Sequence, residues 1–170
     1  LCYSLYDPCT GIFHPGAWMA STKKFKPYKQ DLDKAEALLD ESGWVDSNND
    51  GIRDKEIDGR TVPFEFSILV NQQPLRIAIC TLLKENLDQI GIRLNVRPVE
   101  STVLQDLTLN RKFQAYLGGW GSGTDPDTSE NLWKTGAMRN FCNYSNPEVD
   151  RLYAEGRQEF DKGKRAEKYG

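Results

Sequence analysis

The sequence predicts an α/β fold built around a βαβαβ unit, and three features of the chain support this prediction. Alternating apolar residues at 61–70 and 92–99 flank a stretch at 75–90 whose apolar residues recur at helical spacing. A second helical pattern at 101–110 leads to a third short alternating run at 113–120. Because helical crossovers join parallel strands, we expect a parallel core with flanking helices in a mixed sheet.

The composition is that of an ordinary folded domain. The chain has 170 residues, of which 38% are hydrophobic and 28% charged, so it is long enough to bury a core. Its formal net charge is -3 and both signs are mixed along the chain, which argues against a nucleic-acid partner. The basic run at 23–29 is broken by Pro27, and we interpret it as a solvated loop.

The two ends of the chain differ from the middle. Scattered glycine, proline and aromatic residues at 1–30 predict an irregular surface segment, in which His14 is expected to be a surface residue. Residues 147–170 form a continuous helical pattern without a stop signal, and residue 1 is Leu. We therefore expect the chain to be a piece of a longer protein.

A helix is predicted to start at Asp31, whose carboxylate is suited to capping the first turn. Apolar residues on one face support it, and Gly43 is placed to end it in a left-handed conformation. Trp44 is then expected to fold back over Leu39, as in a Schellman ending.

The stretch 46–54 resembles the start of a calcium-binding loop. Oxygen-bearing side chains occupy its first, third, fifth and ninth places, and Gly51 occupies the sixth. These side chains are Asp46, Asn48, Asp50 and Asp54. The twelfth place, however, holds Ile57 instead of a bidentate glutamate, and a hairpin turn follows at Asp58-Gly59. The favoured interpretation is therefore a tight turn held by its own backbone bonds, and a calcium site is the less favoured alternative.

The four cysteines fit no metal-binding spacing, so no metal site is predicted from them. Two interpretations stay open. Cys2 and Cys9 form a disulfide, or all four thiols are unpaired and Cys80 is buried in a helix as a small apolar residue.

A ligand site is expected where the strands of the βαβαβ unit end, because ligands of open parallel sheets bind beyond the carboxyl ends of the strands. Trp120 provides a large ring there, beside glycine-rich backbone whose amides are exposed. The alternative is that Trp120 plugs the core and the glycines only turn the chain. The candidate ligand-binding residues are Asn71, Gln72, Glu100, Trp120, Gly121, Ser122, Gly123 and Asp125.

Several short motifs follow one another from about residue 28 to the end of the chain. They are the helix at 33–39 with Ser42-Gly43-Trp44, the stretch 50–54, Ile90-Gly91-Ile92, Gly119-Trp120 with Asp125-Pro126, and the stretch 146–150. Their order and spacing resemble extracellular solute-binding protein family 5, the oligopeptide- and dipeptide-binding proteins of ABC importers.

The resemblance implies a lobe of the periplasmic-binding-protein type II fold. Residues 1–170 would form most of the carboxyl-terminal lobe of a two-lobed protein that closes on its ligand. The implied partners are an oligopeptide or other small solute, the partner lobe and the membrane permease, and no cofactor is implied. The implied location is periplasmic or otherwise outside the cytoplasmic membrane, and the resemblance leaves a lipid anchor open.

In peptide-binding members of the family, the ring at the position of Trp120 lines the cavity and the backbone after it binds the peptide main chain. An aspartate three residues beyond that ring pairs with the peptide amino terminus. Gly123 occupies this position in the present sequence, so the amine anchor is missing or is shifted to Asp125 or Asp127. Glu100 and Asp125 are candidates for recognising a cationic group on the solute, but for each acid the favoured interpretation is a helix-start charge or a turn former.

The favoured function is therefore a non-catalytic solute receptor. A hydrolase is the first alternative, but the chain has one histidine and lacks the GxSxG and HExxH motifs. A calcium-dependent extracellular binding module, built on the stretch 46–54, is the second.

Overall fold

The computed structural model describes residues 11–21, 27–121 and 123–170. Cys2 and Cys9, for which a disulfide is one of the two interpretations, and Ser122 lie outside these residues. Contacts group the described chain into two compact units, one formed by residues 29–118 and the other by residues 119–170 with the described part of 2–28. None of the described helices is long and apolar enough to cross a membrane.

The helices and strands are numbered in chain order. In the first unit these are α1 (Leu32–Glu41), β1 (Asp54–Ile57), β2 (Arg60–Pro63), β3 (Glu65–Asn71), α2 (Pro74–Asp88), β4 (Arg93–Val99), α3 (Ser101–Leu109) and β5 (Ala115–Leu117). In the second unit these are α4 (Glu130–Trp133), α5 (Pro147–Gln158) and α6 (Lys162–Tyr169), with a short 3-10 helix at Pro126–Ser129. Residues 11–21 and 27–30 contain only turns, bends and extended chain.

The start and end of α1 are those expected from the sequence. The Asp31 carboxylate accepts a hydrogen bond from the Lys34 amide at 2.9 Å. At the other end, Gly43 has a φ of 81° and the Trp44 amide donates to the Leu39 carbonyl at 2.9 Å. This is the backbone pattern of a Schellman ending. The Trp44 ring pairs with Phe64, with centroids 4.4 Å apart.

The loop at 46–54 is held by bonds from its own side chains to its backbone. The Asp46 carboxylate accepts from the amides of Asp50 at 3.1 Å and Gly51 at 2.9 Å. Asp54 is buried, and its carboxylate accepts from both the amide and the hydroxyl of Ser47. These bonds are the ones expected of a tight turn.

The single strand expected at 61–70 is in fact two strands with different partners. Its first half, β2, pairs with β1 in an antiparallel hairpin, whose turn residues Asp58 and Gly59 have φ values of 51° and 74°. Pro63 then ends the hairpin ladder, since proline has no amide to donate. After it, the Phe64 amide still donates to Arg53, but the Phe64 carbonyl accepts from Arg93 at the start of β4.

The three-stranded sheet has the predicted parallel arrangement, with β3 between β4 and β5. Antiparallel pairing is confined to the separate hairpin, among the named strands of the described chain. The register places Asn71 opposite Val99, and Val70 opposite Leu117. The carboxyl ends of all three strands therefore meet at one edge of the sheet.

The third strand is shorter than the expected 113–120. The side-chain oxygen of Gln114 accepts bonds from both the amide and the hydroxyl of Ser67, each at 2.9 Å. A side chain thus takes the place of main-chain pairing just before β5, and the strand begins only at Ala115.

The core of this unit is centred on β3. Ile68, Leu69 and Val70 are all buried, so both faces of the strand are covered, and not one face as the alternating pattern had suggested. On the face of Ile68 and Val70, the cluster includes Cys80 of α2 and Leu94 of β4. Cys80 is a free, fully buried thiol, and burial raises its pKa.

The buried face of α2 differs from the expected one. Ile77, Cys80 and Leu87 pack into the core, whereas three leucines of the apolar pattern at 75–90 are exposed. These are Leu75, Leu82 and Leu83. Apolar residues lie on more than one side of this helix, and the face that packs is decided by the sheet beneath it.

Arg53 ties together the ends of both long helices of the first unit. Its guanidinium donates to the Ile90 carbonyl at 2.9 Å, just after α2, and to the Trp44 carbonyl at 2.7 Å, just after α1. It also forms an ion pair with Asp40. The neighbouring Gly91 has a φ of 76°, and its carbonyl accepts from the Arg53 amide at 2.8 Å.

In the second unit, the continuous helix expected at 147–170 is broken into α5 and α6. Glu159 takes an extended conformation and ends α5. Asp161 then caps α6 by accepting from the Lys164 amide at 2.9 Å. A capping aspartate inside the helical pattern was the signal for this break.

Ion pairs join the 3-10 helix region to α5 and α6. The Asp125 carboxylate lies 2.8 Å from the Arg165 guanidinium of α6. Asp127 pairs with Arg157 of α5 at 3.0 Å and accepts a bond from the Tyr169 hydroxyl at 2.9 Å. The bond from Arg165, aided by the Asp127 amide, lowers the pKa of Asp125. Burial, followed by the bond to Asp127, raises the pKa of Tyr169 to about 12.

Replacing Gly91 by alanine is expected to destabilise the complete protein more than replacing Gly51. Both glycines have positive φ, which costs an L-residue about 1–2 kcal/mol. A Cβ at Gly51 meets nothing within 4 Å, whereas a Cβ at Gly91 lies 3.0 Å from Cγ of Arg53 and 3.4 Å from its backbone nitrogen. Urea denaturation of Gly91→Ala and Gly51→Ala measures the difference. Equal losses would show that the Arg53 contact adds nothing.

Asp125→Asn is expected to lower the melting temperature of the complete protein at neutral pH. Because the folded-state pKa of Asp125 is depressed, its stabilisation is present above the ordinary aspartate pKa of about 3.9 and is lost as the pH falls through the folded value. The difference between wild type and variant should therefore shrink below about pH 4. Asp33→Asn, at an exposed carboxylate without an ion pair in the described chain, is the control. A difference that stayed constant with pH would contradict this account.

Candidate functional site

The carboxyl edge of the sheet carries polar residues at two strand ends. Asn71 ends β3, and its side-chain amide lies 3.5 Å from the hydroxyl of Ser101 at the start of α3. The Arg76 guanidinium donates to the Asn71 side-chain oxygen at 3.3 Å. Gln72 follows and is exposed. The structure thus brings the ends of β3 and β4 into one polar edge, as the sequence predicts.

Glu100 stands at the same edge, between β4 and α3. It occupies the position before the first turn of α3, but its side chain makes no capping bond. The residue is exposed, and its carboxylate has no ion pair or hydrogen bond within the described part of the chain.

Trp120 belongs to the second unit and is not sealed in a core. Its side chain is 46% exposed, so the alternative in which the ring plugs the core does not describe this structure. Its indole packs at a tilt against the buried ring of Phe141, with centroids 5.9 Å apart. The guanidinium carbon of Arg139 lies 5.2 Å from the centre of the indole. One part of the ring is therefore anchored while the rest remains accessible.

Gly121 and Gly123, the two described glycines after Trp120, are both exposed, but only Gly121 has open space where a side chain would be. A Cβ placed at Gly121 would meet nothing within 4 Å, so packing does not require glycine there. At Gly123 the same atom would lie 3.3 Å from the Thr128 hydroxyl. The amides of Trp120, Gly121 and Gly123 donate to no acceptor among residues 11–21, 27–121 and 123–170.

Asp125 already has partners inside the second unit. Its carboxylate accepts from the Asp127 amide at 2.9 Å, which caps the 3-10 helix, and it pairs with Arg165. Asp127 is paired with Arg157. Both positions to which an amine anchor could shift are thus engaged with arginines of α5 and α6.

Two residues beside Trp120 were not among the candidates from the sequence. Arg139 and Phe141 flank Asn140, a buried residue that donates to the Lys134 and Tyr144 carbonyls and accepts from the Tyr144 amide. These bonds fix the turn that brings both side chains to the indole. No local pattern around Trp120 indicates this contact, because it depends on the fold of the intervening chain.

The residues weighed as metal ligands or as a catalytic base show ordinary structural contacts. The loop at 46–54 bonds to its own backbone, and no cluster of three or more metal-ligating side chains occurs within the described residues. His14 is exposed and accepts a bond from the Gly16 amide at 3.0 Å.

The candidate ligand-binding residues are divided between the two units. Asn71, Gln72 and Glu100 belong to the first unit, whereas the segment 119–125 belongs to the second. That these residues act together on one ligand stays a prediction.

Known proteins resemble this chain in both sequence and structure. The profile of "Bacterial extracellular solute-binding proteins, family 5 Middle" matches residues 1–141. The oligopeptide-binding protein AppA of Bacillus subtilis is 33% identical over 141 residues, which cover 80% of this chain and 25% of AppA.

Solved structures agree with this match. The structure of Bacillus subtilis AppA in complex with a nonapeptide superposes with a TM-score of 0.78 at 29% identity, covering 92% of this chain and 31% of that one. Campylobacter jejuni NikZ in complex with Ni(L-His) gives a TM-score of 0.71 at 30% identity, covering 88% and 30%. The α/β fold predicted from the sequence is thus that of solved solute-binding proteins.

The chain spans 25% of the length of its relative AppA, so it corresponds to part of such a protein. The family match nevertheless extends over most of the chain's 170 residues. The chain belongs to the bacterial extracellular solute-binding proteins of family 5.

Proposed function

We propose that the chain is part of the substrate-binding component of an ABC importer, which captures a peptide or other small solute outside the cytoplasmic membrane and delivers it to the permease. The family match over residues 1–141 is the observation that carries the proposal. The relatives in complex with a nonapeptide and with Ni(L-His) support it, because both hold small solutes. The family assignment favours binding over catalysis.

In this proposal the chain supplies most of the carboxyl-terminal lobe. The solute docks on one lobe, and closure of the other lobe buries it and creates the shape that the permease recognises. Trp120 contributes apolar area and stacking, because part of its ring is accessible while Phe141 holds the rest. The unbonded amides of Gly121 and Gly123 offer hydrogen bonds to the solute.

Native mass spectrometry of the complete protein, purified without denaturation, tests the proposal directly. Closure around the solute slows its release, so we expect a retained small molecule whose mass identifies it. A protein that carries no solute and also binds none from a peptide mixture would contradict the proposed function.

Trp120→Ala in the complete protein is expected to weaken solute binding about tenfold, since an aromatic contact contributes about 1 kcal/mol or more beyond its buried area. Isothermal titration calorimetry with the retained solute measures the change, and circular dichroism checks that the fold is kept. Tyr28→Ala is the matched control, because that ring is 100% exposed. Equal affinities of wild type and Trp120→Ala would remove Trp120 from the site.

A further inference from the structure

Arg139 is a cation placed beside the exposed indole of Trp120. Its guanidinium carbon lies 5.2 Å from the ring centre. The backbone beneath it is fixed, since the Arg139 amide donates to the Asn131 carbonyl at 3.2 Å and its carbonyl accepts from the Phe141 amide at 2.9 Å. Cation–π contact with the indole therefore orients the guanidinium without consuming its hydrogen-bonding capacity.

The Arg139 side chain has no ion pair and no hydrogen bond within the part of the chain that the structure describes. The first acids that follow Trp120 in the sequence are already paired with other arginines. Asp125 pairs with Arg165, while Asp127 and Glu130 both pair with Arg157. The charge left uncompensated beside Trp120 is therefore positive.

The other polar groups at Trp120 and the glycines after it that have no partner in the described chain are also hydrogen-bond donors. The backbone amides of Trp120, Gly121 and Gly123 have no acceptor among the described residues, and neither has the indole N–H. Exposed donors of this kind bond to water in the free protein, and an acceptor on a ligand can take the place of that water. A planar guanidinium binds a carboxylate through two parallel bonds, which are stronger than bonds between neutral groups.

We propose that Arg139, held against Trp120, receives a carboxylate of the bound solute, and that the open amides after Trp120 complete an acceptor-binding surface. This inference rests on the proposed function and narrows its substrate class to solutes with an accessible carboxylate. It favours Arg139 over Asp125 as the charged group that meets the solute, because the Asp125 carboxylate is already bound to Arg165.

Two sources of carboxylate are available on a peptide, and three probe libraries separate them. The first contains random short peptides with free carboxyl termini and no Asp or Glu. The second contains the same peptides as carboxyl-terminal amides, and the third contains amidated peptides with Asp or Glu side chains. Each library is equilibrated by dialysis with the complete protein at low salt, and mass spectrometry measures the retained peptides.

The wild-type protein is expected to retain one of the carboxylate-bearing libraries about tenfold more than the amidated library without acids, since a hydrogen bond to a charged group contributes enough for a tenfold change. Arg139→Gln should remove this preference while the protein still retains peptides. Arg139→Lys should restore only part of it, because an ammonium lacks the bidentate geometry. Arg60→Gln, at an exposed arginine of β2 without an ion pair in the described chain, is the matched control and should keep the preference.

Three other outcomes would overturn the inference, whereas a preference for either carboxylate-bearing library would support it. Equal retention of all three libraries by the wild type, or an unchanged preference in Arg139→Gln, would remove the carboxylate role and leave the receptor function intact. Retention of none of the libraries would contradict peptide binding itself and, with it, this assignment. Preference for the first library identifies a terminal carboxylate, and preference for the third identifies a side-chain carboxylate.

Discussion

The parallel pairing of β3 with both of its neighbours is the constraint on which the first unit depends. A parallel strand must be followed by a crossover, so the chain leaves the sheet at the same edge after each strand. In this register the three strands end at that edge with Asn71, Val99 and Leu117. The residues that follow these three strand ends therefore begin at the same edge, whatever their own conformational propensities. The sheet places them there, and burial of Ile68, Leu69 and Val70 makes the placement rigid.

In the second unit, ion pairs hold the elements together alongside apolar packing. Its acidic residues near Trp120 hold the 3-10 helix against α5 and α6 by pairing with Arg157 and Arg165. Each of these carboxylates therefore has a partner within the fold. Beside the exposed ring of Trp120 lie the Arg139 guanidinium and backbone amides that have no acceptor in the described chain.

The sequence was a good guide at most places where the signal is local, although the local cap at Asp161 was overlooked in the helix expected at 147–170. Asp31 and Gly43 mark the ends of α1 because capping and left-handed termination involve residues within a few positions of each other. The order of strands and helices in the first unit is confirmed for the same reason. Where the partner of a residue is distant in sequence, the prediction was wrong or incomplete. Phe64 changes partner strands between β2 and β3, and Gln114 replaces the main-chain pairing before β5. Arg139 was missed altogether, since its position over Trp120 depends on the turn around Asn140.

The bonds of Arg53 limit which residues can replace it without destabilising the first unit. One side chain bonds the carbonyls that follow both α1 and α2, whereas the hydrophobic core spreads its contribution over many residues. A lysine at this position would keep the charge but present a single point of donation in place of a planar fork, so it could not hold both carbonyls and Asp40 at once. Loss of this arginine would therefore leave the chain after α1 and the chain after α2 without the donor that they share, beside the turn at Gly91.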